Sequence, residues 1–222
     1  MTGTLFVVAT PIGNLEDITL RALRVLKEVD VIACEDTRVT QRLVKNYKIE
    51  TQLVSYHQHS ERGKIEFLID KLKQGKDVAL VSDAGTPGIS DPGRLMVMAA
   101  AEEGIKVEAV AGPSAVAAAL SVSGLPTDRF LFLGFLPHKK KRSTMLKEIV
   151  DAKQTVVFYE SVHRILKLLE EFKDLELERE IVVIRELTKK FEASYRGLPT
   201  EVYRQLINDK VKGEFVVIVA SK

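Results

Sequence analysis

Short runs of apolar, mostly β-branched residues without polar alternation constrain this chain most. Val31–Cys34, Val78–Ser82 and Ile181–Arg185 are continuous in this way, and Leu5–Ala9, Val107–Val110, Phe130–Leu133, Thr155–Tyr159 and Phe215–Ala220 are similar. A strand with one wet face alternates; a strand covered on both faces does not. Helical stretches separate most of these runs. Strand then helix, repeated, predicts an α/β fold.

The helices carry their own punctuation. Ser60 is placed to cap a helix with apolar positions Ile65, Leu68, Ile69 and Leu72 that stops at Gly75. Asp91-Pro92 reads as an N-cap acid followed by proline at the first helical position, with Gly104 as the stop. Pro113 opens a small-residue helix that ends near Gly124. The alternation then restarts, which predicts a domain of residues 1–112 and a second of 113–222. In the second half Ile181–Arg185, Phe191–Arg196 and Phe215–Ala220 lie close together, so antiparallel pairing is expected there. The expected architecture is two α/β domains, with a mostly parallel N-terminal sheet and a mixed C-terminal sheet.

At 222 residues with 45% hydrophobic side chains, the chain has enough apolar material for such cores, and wholesale disorder is excluded. Its single cysteine, Cys34, excludes an internal disulfide framework and a multi-cysteine zinc site, and fits a reducing cytoplasm. No apolar run approaches the roughly 20 residues of a membrane span, and no basic stretch precedes the first strand, so neither membrane insertion nor a signal peptide is expected. The net charge of +2 is unevenly shared: residues 1–112 carry 14 Lys/Arg against 16 Asp/Glu, and residues 113–222 carry 19 against 15. Lys139-Lys140-Lys141-Arg142 is the sharpest local feature. Four consecutive cations repel one another, and phosphate binding explains them better than a plain solvated helix face does.

Three segments sit where an open α/β sheet binds ligands, at strand carboxyl ends. Thr10-Pro11-Ile12-Gly13-Asn14 follows the first run; it has one glycine where a dinucleotide fingerprint needs three, and no P-loop ending. Ser82 to Gly93 packs three glycines and two prolines into a loop longer than a plain connection requires. Glu35-Asp36-Thr37-Arg38 places two carboxylates beside an arginine, for acid–base work or for a salt-bridged helix start. Asp91 is read as a helix cap and Cys34 as a small buried residue. His57 and His59 lack partners at metal-ligand spacing and are read as loop residues. His163 could orient a phosphate beside Arg164.

These motifs carry a resemblance. Val7 to Thr19, Cys34 to Arg38, Ser82 to Gly93, Gly112-Pro113-Ser114-Ala115, Gly134-Phe135-Leu136-Pro137 and Tyr159-Glu160-Ser161 closely resemble the ribosomal RNA small subunit methyltransferase I family, within the tetrapyrrole methylase superfamily. The likeness runs from first strand to last, with Val162 standing where a proline is common. It implies S-adenosylmethionine as cofactor, folded between two α/β domains, a homodimer, and 2′-O-methylation of a cytidine ribose in 16S rRNA, free or in the small ribosomal subunit. The cofactor contacts it implies are Pro11, Ile12, Gly85, Thr86, Ile89, Ser114, Ala115, Tyr159, Leu187 and Gly213. The helix start at Ser114–Ala115 suits the cofactor's carboxylate. Glu35, Asp36 and Asp83 are the candidate proton acceptors or relays, and Arg38 the candidate for orienting substrate. Lys139, Lys140, Lys141, Arg142 and Arg164 are the candidate RNA contacts. Two other readings stand beside this one: a superfamily methyltransferase acting on a tetrapyrrole or a protein side chain, and an RNA-binding protein without catalysis.

Overall fold

The computed structural model describes residues 2–56, 62–91, 93–209 and 211–222. Ser60, His57 and His59 lie outside the described residues. The chain divides into two compact units, Met1–Ser114 and Ala115–Lys222.

The first unit is built on strands β1 (Thr4–Val8), β2 (Val31–Cys34), β3 (Gln52–Ser55), β4 (Val78–Val81) and β5 (Lys106–Val110). They form one parallel sheet in the order β3-β2-β4-β1-β5. Helices α1 (Leu20–Glu28), α2 (Thr37–Asn46), α3 (Arg62–Lys73) and α4 (Arg94–Glu102) connect them. Successive strand residues point to opposite faces. Val8, Ile32, Ala79 and Val81 therefore pack with Ala22, Val25 and Leu43 of α1 and α2. Leu5, Val31, Val78 and Leu80 pack with Leu68, Leu72 and Met96 of α3 and α4. Both faces are covered, which is why β2 and β4 are buried at every position. β3 has no counterpart among the expected strands: it is a half-exposed edge strand, paired among the described residues with β2 alone and too short to show a period.

One expected helix start is displaced. α4 begins at Arg94, with Gly93 at the N-cap, so Asp91 does not cap it. The backbone takes positive φ at Gly88 and Ser90, before Asp91, and again at Gly93, after it, so the loop is still turning where the helix was expected to start.

The second unit holds β6 (Phe130–Phe135), β7 (Thr155–Ser161), β8 (Ile181–Arg185), β9 (Ala193–Gly197) and β10 (Glu214–Val219), in the order β6-β7-β10-β8-β9. Only β6 and β7 pair in parallel; β7–β10, β10–β8 and β8–β9 are antiparallel. α5 (Ala115–Ser123) covers one face, over Val157, Val182, Ile184 and Ile218. α6 (Arg142–Asp151), α7 (Ile165–Asp174) and α8 (Pro199–Ile207) cover the other, over Val156, Phe158, Val183 and Val217. The mixed sheet agrees with the crowding of the last three runs in the sequence. Among the described residues, no helix is long and apolar enough to cross a membrane.

Candidate functional site

In the first unit, every strand of the parallel sheet ends at the same edge, and the loops leaving β1, β4 and β5 are stitched together there. Thr10 and Gly85 exchange both backbone hydrogen bonds, at 2.9 and 3.1 Å. The buried Thr10 hydroxyl donates to the Ser82 carbonyl at 3.2 Å. The Thr86 hydroxyl donates to the carbonyl of Pro113 at 3.1 Å, which ties the glycine-rich loop to the segment that enters α5. Gly85 has φ +80, and a Cβ placed on it would stand 3.3 Å from Cγ2 of Ile12. Only glycine suits both the conformation and the gap. Pro11, Ile12, Gly85, Thr86 and Ser114 thus lie on three loops joined by these bonds. Ile89, on the same glycine-rich loop, leaves half its surface to solvent.

The carboxylates gather beside this cradle. Asp83 accepts a 2.9 Å hydrogen bond from the backbone amide of Asp36 through Oδ1, which couples the ends of β4 and β2. Asp36 caps α2 by accepting from the amide of Arg38 at 2.8 Å, and its other oxygen pairs with the Arg38 guanidinium at 2.6 Å. Arg38 itself is largely exposed. Asp91, which the sequence presents as a cap, instead turns a carboxyl oxygen, Oδ1, into a buried spot with no hydrogen-bond partner among the described residues. Burial, and then the charges of Glu35 and Asp83, push its pKa up to about 7; the Ser82 hydroxyl and the Gly88 amide oppose this. Cys34 is fully buried, and burial raises its thiol pKa, so it stays an uncharged core residue. Among the described residues, no group of three or more His, Cys, Asp or Glu could hold a metal ion.

In the second unit, Tyr159 stands near the end of β7 with Phe132 and Phe135 each 5.2 Å from its ring centre. Burial pushes its hydroxyl up to about 12. Leu187 follows β8 in a turn between two residues of positive φ, Glu186 and Thr188. Gly213 precedes β10, and a Cβ there would lie 2.4 Å from the Glu186 carboxyl. That carboxyl accepts from the Glu214 amide at 3.0 Å and from Lys189 at 3.0 Å. Leu187 and Gly213 therefore belong to one tight corner.

The basic run divides. Lys139, Lys140 and Lys141 are exposed. Arg142 is turned inward, with its side chain 7% exposed, and pairs with Glu160 and Glu171 at 3.2 and 2.7 Å. Arg164 pairs with Glu160 at 2.7 Å and donates to the Leu136 carbonyl at 2.8 Å and to the Ser161 hydroxyl at 3.2 Å. Both arginines direct donors at acceptors of the protein itself, and both were expected to hold RNA phosphates. A run of cations in sequence does not reveal that a buried glutamate waits 18 residues away.

A family model described as Tetrapyrrole (Corrin/Porphyrin) Methylases matches residues 4–202. A protein of Thermotoga maritima named ribosomal RNA small subunit methyltransferase I is 43% identical over 220 residues, covering 99% of both chains. A Pseudomonas aeruginosa protein of the same name is 50% identical over 98% of this chain and 79% of its own. The chain belongs to the ribosomal RNA small subunit methyltransferase I family of the tetrapyrrole methylases. Solved structures share the fold at lower identity. A diphthine synthase superposes with a TM-score of 0.75 at 17% identity, over 98% of this chain and 90% of that one. A cobalt precorrin-4 methyltransferase of cobalamin biosynthesis gives 0.72 at 19%, over 98% and 94%.

Tetrapyrrole methylases take their methyl group from S-adenosylmethionine. The residues present fit it. The stitched loops of this methyltransferase offer glycine backbone at Gly85 and Gly88, where side chains would intrude or strain, and an exposed apolar surface at Ile89. Those are the needs of a ligand with a flat adenine, a thioether chain and a zwitterionic end.

Proposed function

We propose that this chain methylates the ribose 2′-oxygen of a cytidine in small-subunit rRNA. The supporting observation is the full-length likeness to the Thermotoga maritima relative, whose name gives the RNA and the reaction class. S-adenosylmethionine supplies an electrophilic methyl group whose leaving group departs neutral. The protein's task is then to orient the oxygen in line and to receive its proton.

In this reading the first unit supplies the substrate side and part of the cofactor side through Pro11, Ile12, Gly85, Thr86, Ile89 and Ser114. The second supplies Ala115, Tyr159, Leu187 and Gly213. Glu35, Asp36 and Asp83 are the proposed acceptors or relays for the hydroxyl proton. Asp36 also pairs with Arg38, whose largely exposed guanidinium is placed to meet a phosphate. Lys139, Lys140 and Lys141 hold RNA phosphates. The enzyme works in the cytoplasm as a homodimer.

The test is methyl transfer from labelled S-adenosylmethionine to naked 16S rRNA, to small ribosomal subunits and to a tetrapyrrole, followed by mapping of ribose methylation. One methylated cytidine ribose is the expected result. Incorporation only into the tetrapyrrole, or none with intact cofactor binding, overturns the reading. Near-normal turnover in all of Glu35→Gln, Asp36→Asn and Asp83→Asn would leave alignment alone as the source of rate.

A further inference from the structure

Phe135 is an exposed aromatic ring on an unusually well-fastened segment. It closes β6 with 58% of its surface in solvent, between buried Gly134 and buried Leu136. The register of β6 against β7 shifts between Phe132 and Phe135, the kind of irregularity that re-aims a side chain at a strand end. Its ring is tilted by 56° against that of Tyr159 and belongs to neither hydrophobic cluster of the second unit.

The backbone that leaves Phe135 cannot drift. Arg164 donates to the Leu136 carbonyl at 2.8 Å and Arg142 to the Pro137 carbonyl at 3.3 Å. Both arginines are held by Glu160, which is wholly buried. Beyond Pro137, the turn from Lys139 to Arg142 is closed by a 3.2 Å hydrogen bond, and Lys141 takes a left-handed conformation at the N-cap of α6. Three cations thus crowd the positive end of a helix whose first turn holds no acid. There they cost stability. The ring thus touches the fold at Tyr159 and leaves most of its surface in solvent, beside three exposed lysines.

We propose that Phe135 is a stacking platform for an unpaired RNA base whose neighbouring phosphates are held by Lys139, Lys140 and Lys141. This rests on the reading of the chain as an rRNA methyltransferase. Single-stranded RNA is bound in this way, with bases on aromatic faces and the backbone tracked by positive charge. Stacking is indifferent to salt, whereas phosphate contacts are not.

The test uses the full chain, a single-stranded RNA oligonucleotide carrying 2-aminopurine, and the variants Phe135→Leu and Phe135→Trp. Because most of the ring is in solvent and its aromatic neighbour is Tyr159, both variants are expected to stay folded, with at most a small drop in melting temperature. Phe135→Leu is expected to bind the RNA about tenfold more weakly and to lose the quenching of 2-aminopurine, with an unchanged salt slope and unchanged S-adenosylmethionine affinity. Phe135→Trp restores both signals. Wild-type RNA affinity in Phe135→Leu overturns the proposal. So does an equal loss of S-adenosylmethionine affinity, which would make the ring a cofactor wall, or a change of oligomeric state, which would make it a subunit contact. Failure of the underlying reading is distinct: the wild type would then transfer no methyl group to rRNA, whatever Phe135→Leu does to the oligonucleotide.

Discussion

Arg142 donates to Oε2 of Glu160 at 3.2 Å, at a place where the glutamate side chain has no solvent exposure. The pair links the start of α6 to the end of β7. Two charges taken out of water are tolerated only while each keeps its partner. Glu160→Gln leaves Arg142 and Arg164 short of compensating charge. It is expected to lower the unfolding free energy by about 3–5 kcal/mol in urea titrations. Arg142→Met combined with Glu160→Gln should cost less than the sum of the two single changes, because the two side chains meet directly.

Asp91 makes stability depend on pH. Its carboxyl pKa is raised in the fold to about 7, so between the ordinary carboxylate range and pH 7 the folded chain binds more protons than the unfolded one. Stability contributed by the neutral carboxyl is therefore present at low pH and lost as pH climbs through this window. Asp91→Asn should match the wild type near pH 4. It should exceed it above pH 7 by on the order of 1 kcal/mol, once solvent screening is allowed for. Thermal melts across that range check this.

Gly85 separates a backbone effect from a ligand effect. Gly85→Ala forces an L-residue into φ +80 and sets a methyl group 3.3 Å from Ile12. Gly104, at φ +66 with open space around it, carries the same conformational cost away from the loops. Both alanine variants should lose about 1 kcal/mol of stability. Only Gly85→Ala should weaken S-adenosylmethionine binding in calorimetry, by tenfold or more.

The three lysines predict a salt signature. With Lys139, Lys140 and Lys141 all changed to Gln, the slope of log affinity for single-stranded RNA against log salt should become shallower by about 2. Arg142 is left in place in this variant, since it serves the core.

Much of this was legible in the sequence, and the rest was hidden for identifiable reasons. β2 and β8 could be read directly because burial on both faces leaves no polar position in Val31–Cys34 or Ile181–Val183. β3 could not, since an edge strand of four residues shows no usable period. The loops after β1 and β4 announced themselves through glycine and proline. The hydrogen bonds that stitch Thr10 to Gly85 across 75 positions did not. Asp91 followed a local rule, acid before proline, that the positive-φ turns of the surrounding loop override. Arg142 looked like one more surface cation because Glu171, its partner 29 residues on, lies in another element.

The helix start at Lys141 has one more consequence. A turn that crowds like charges against the positive pole of α6, with no side-chain cap there, weakens the start of that helix. Phosphates arriving there would supply the missing negative end of that helix. Substrate then acts as a structural element, and amide exchange over residues 141–145 should slow on RNA binding more than in the sheet beneath.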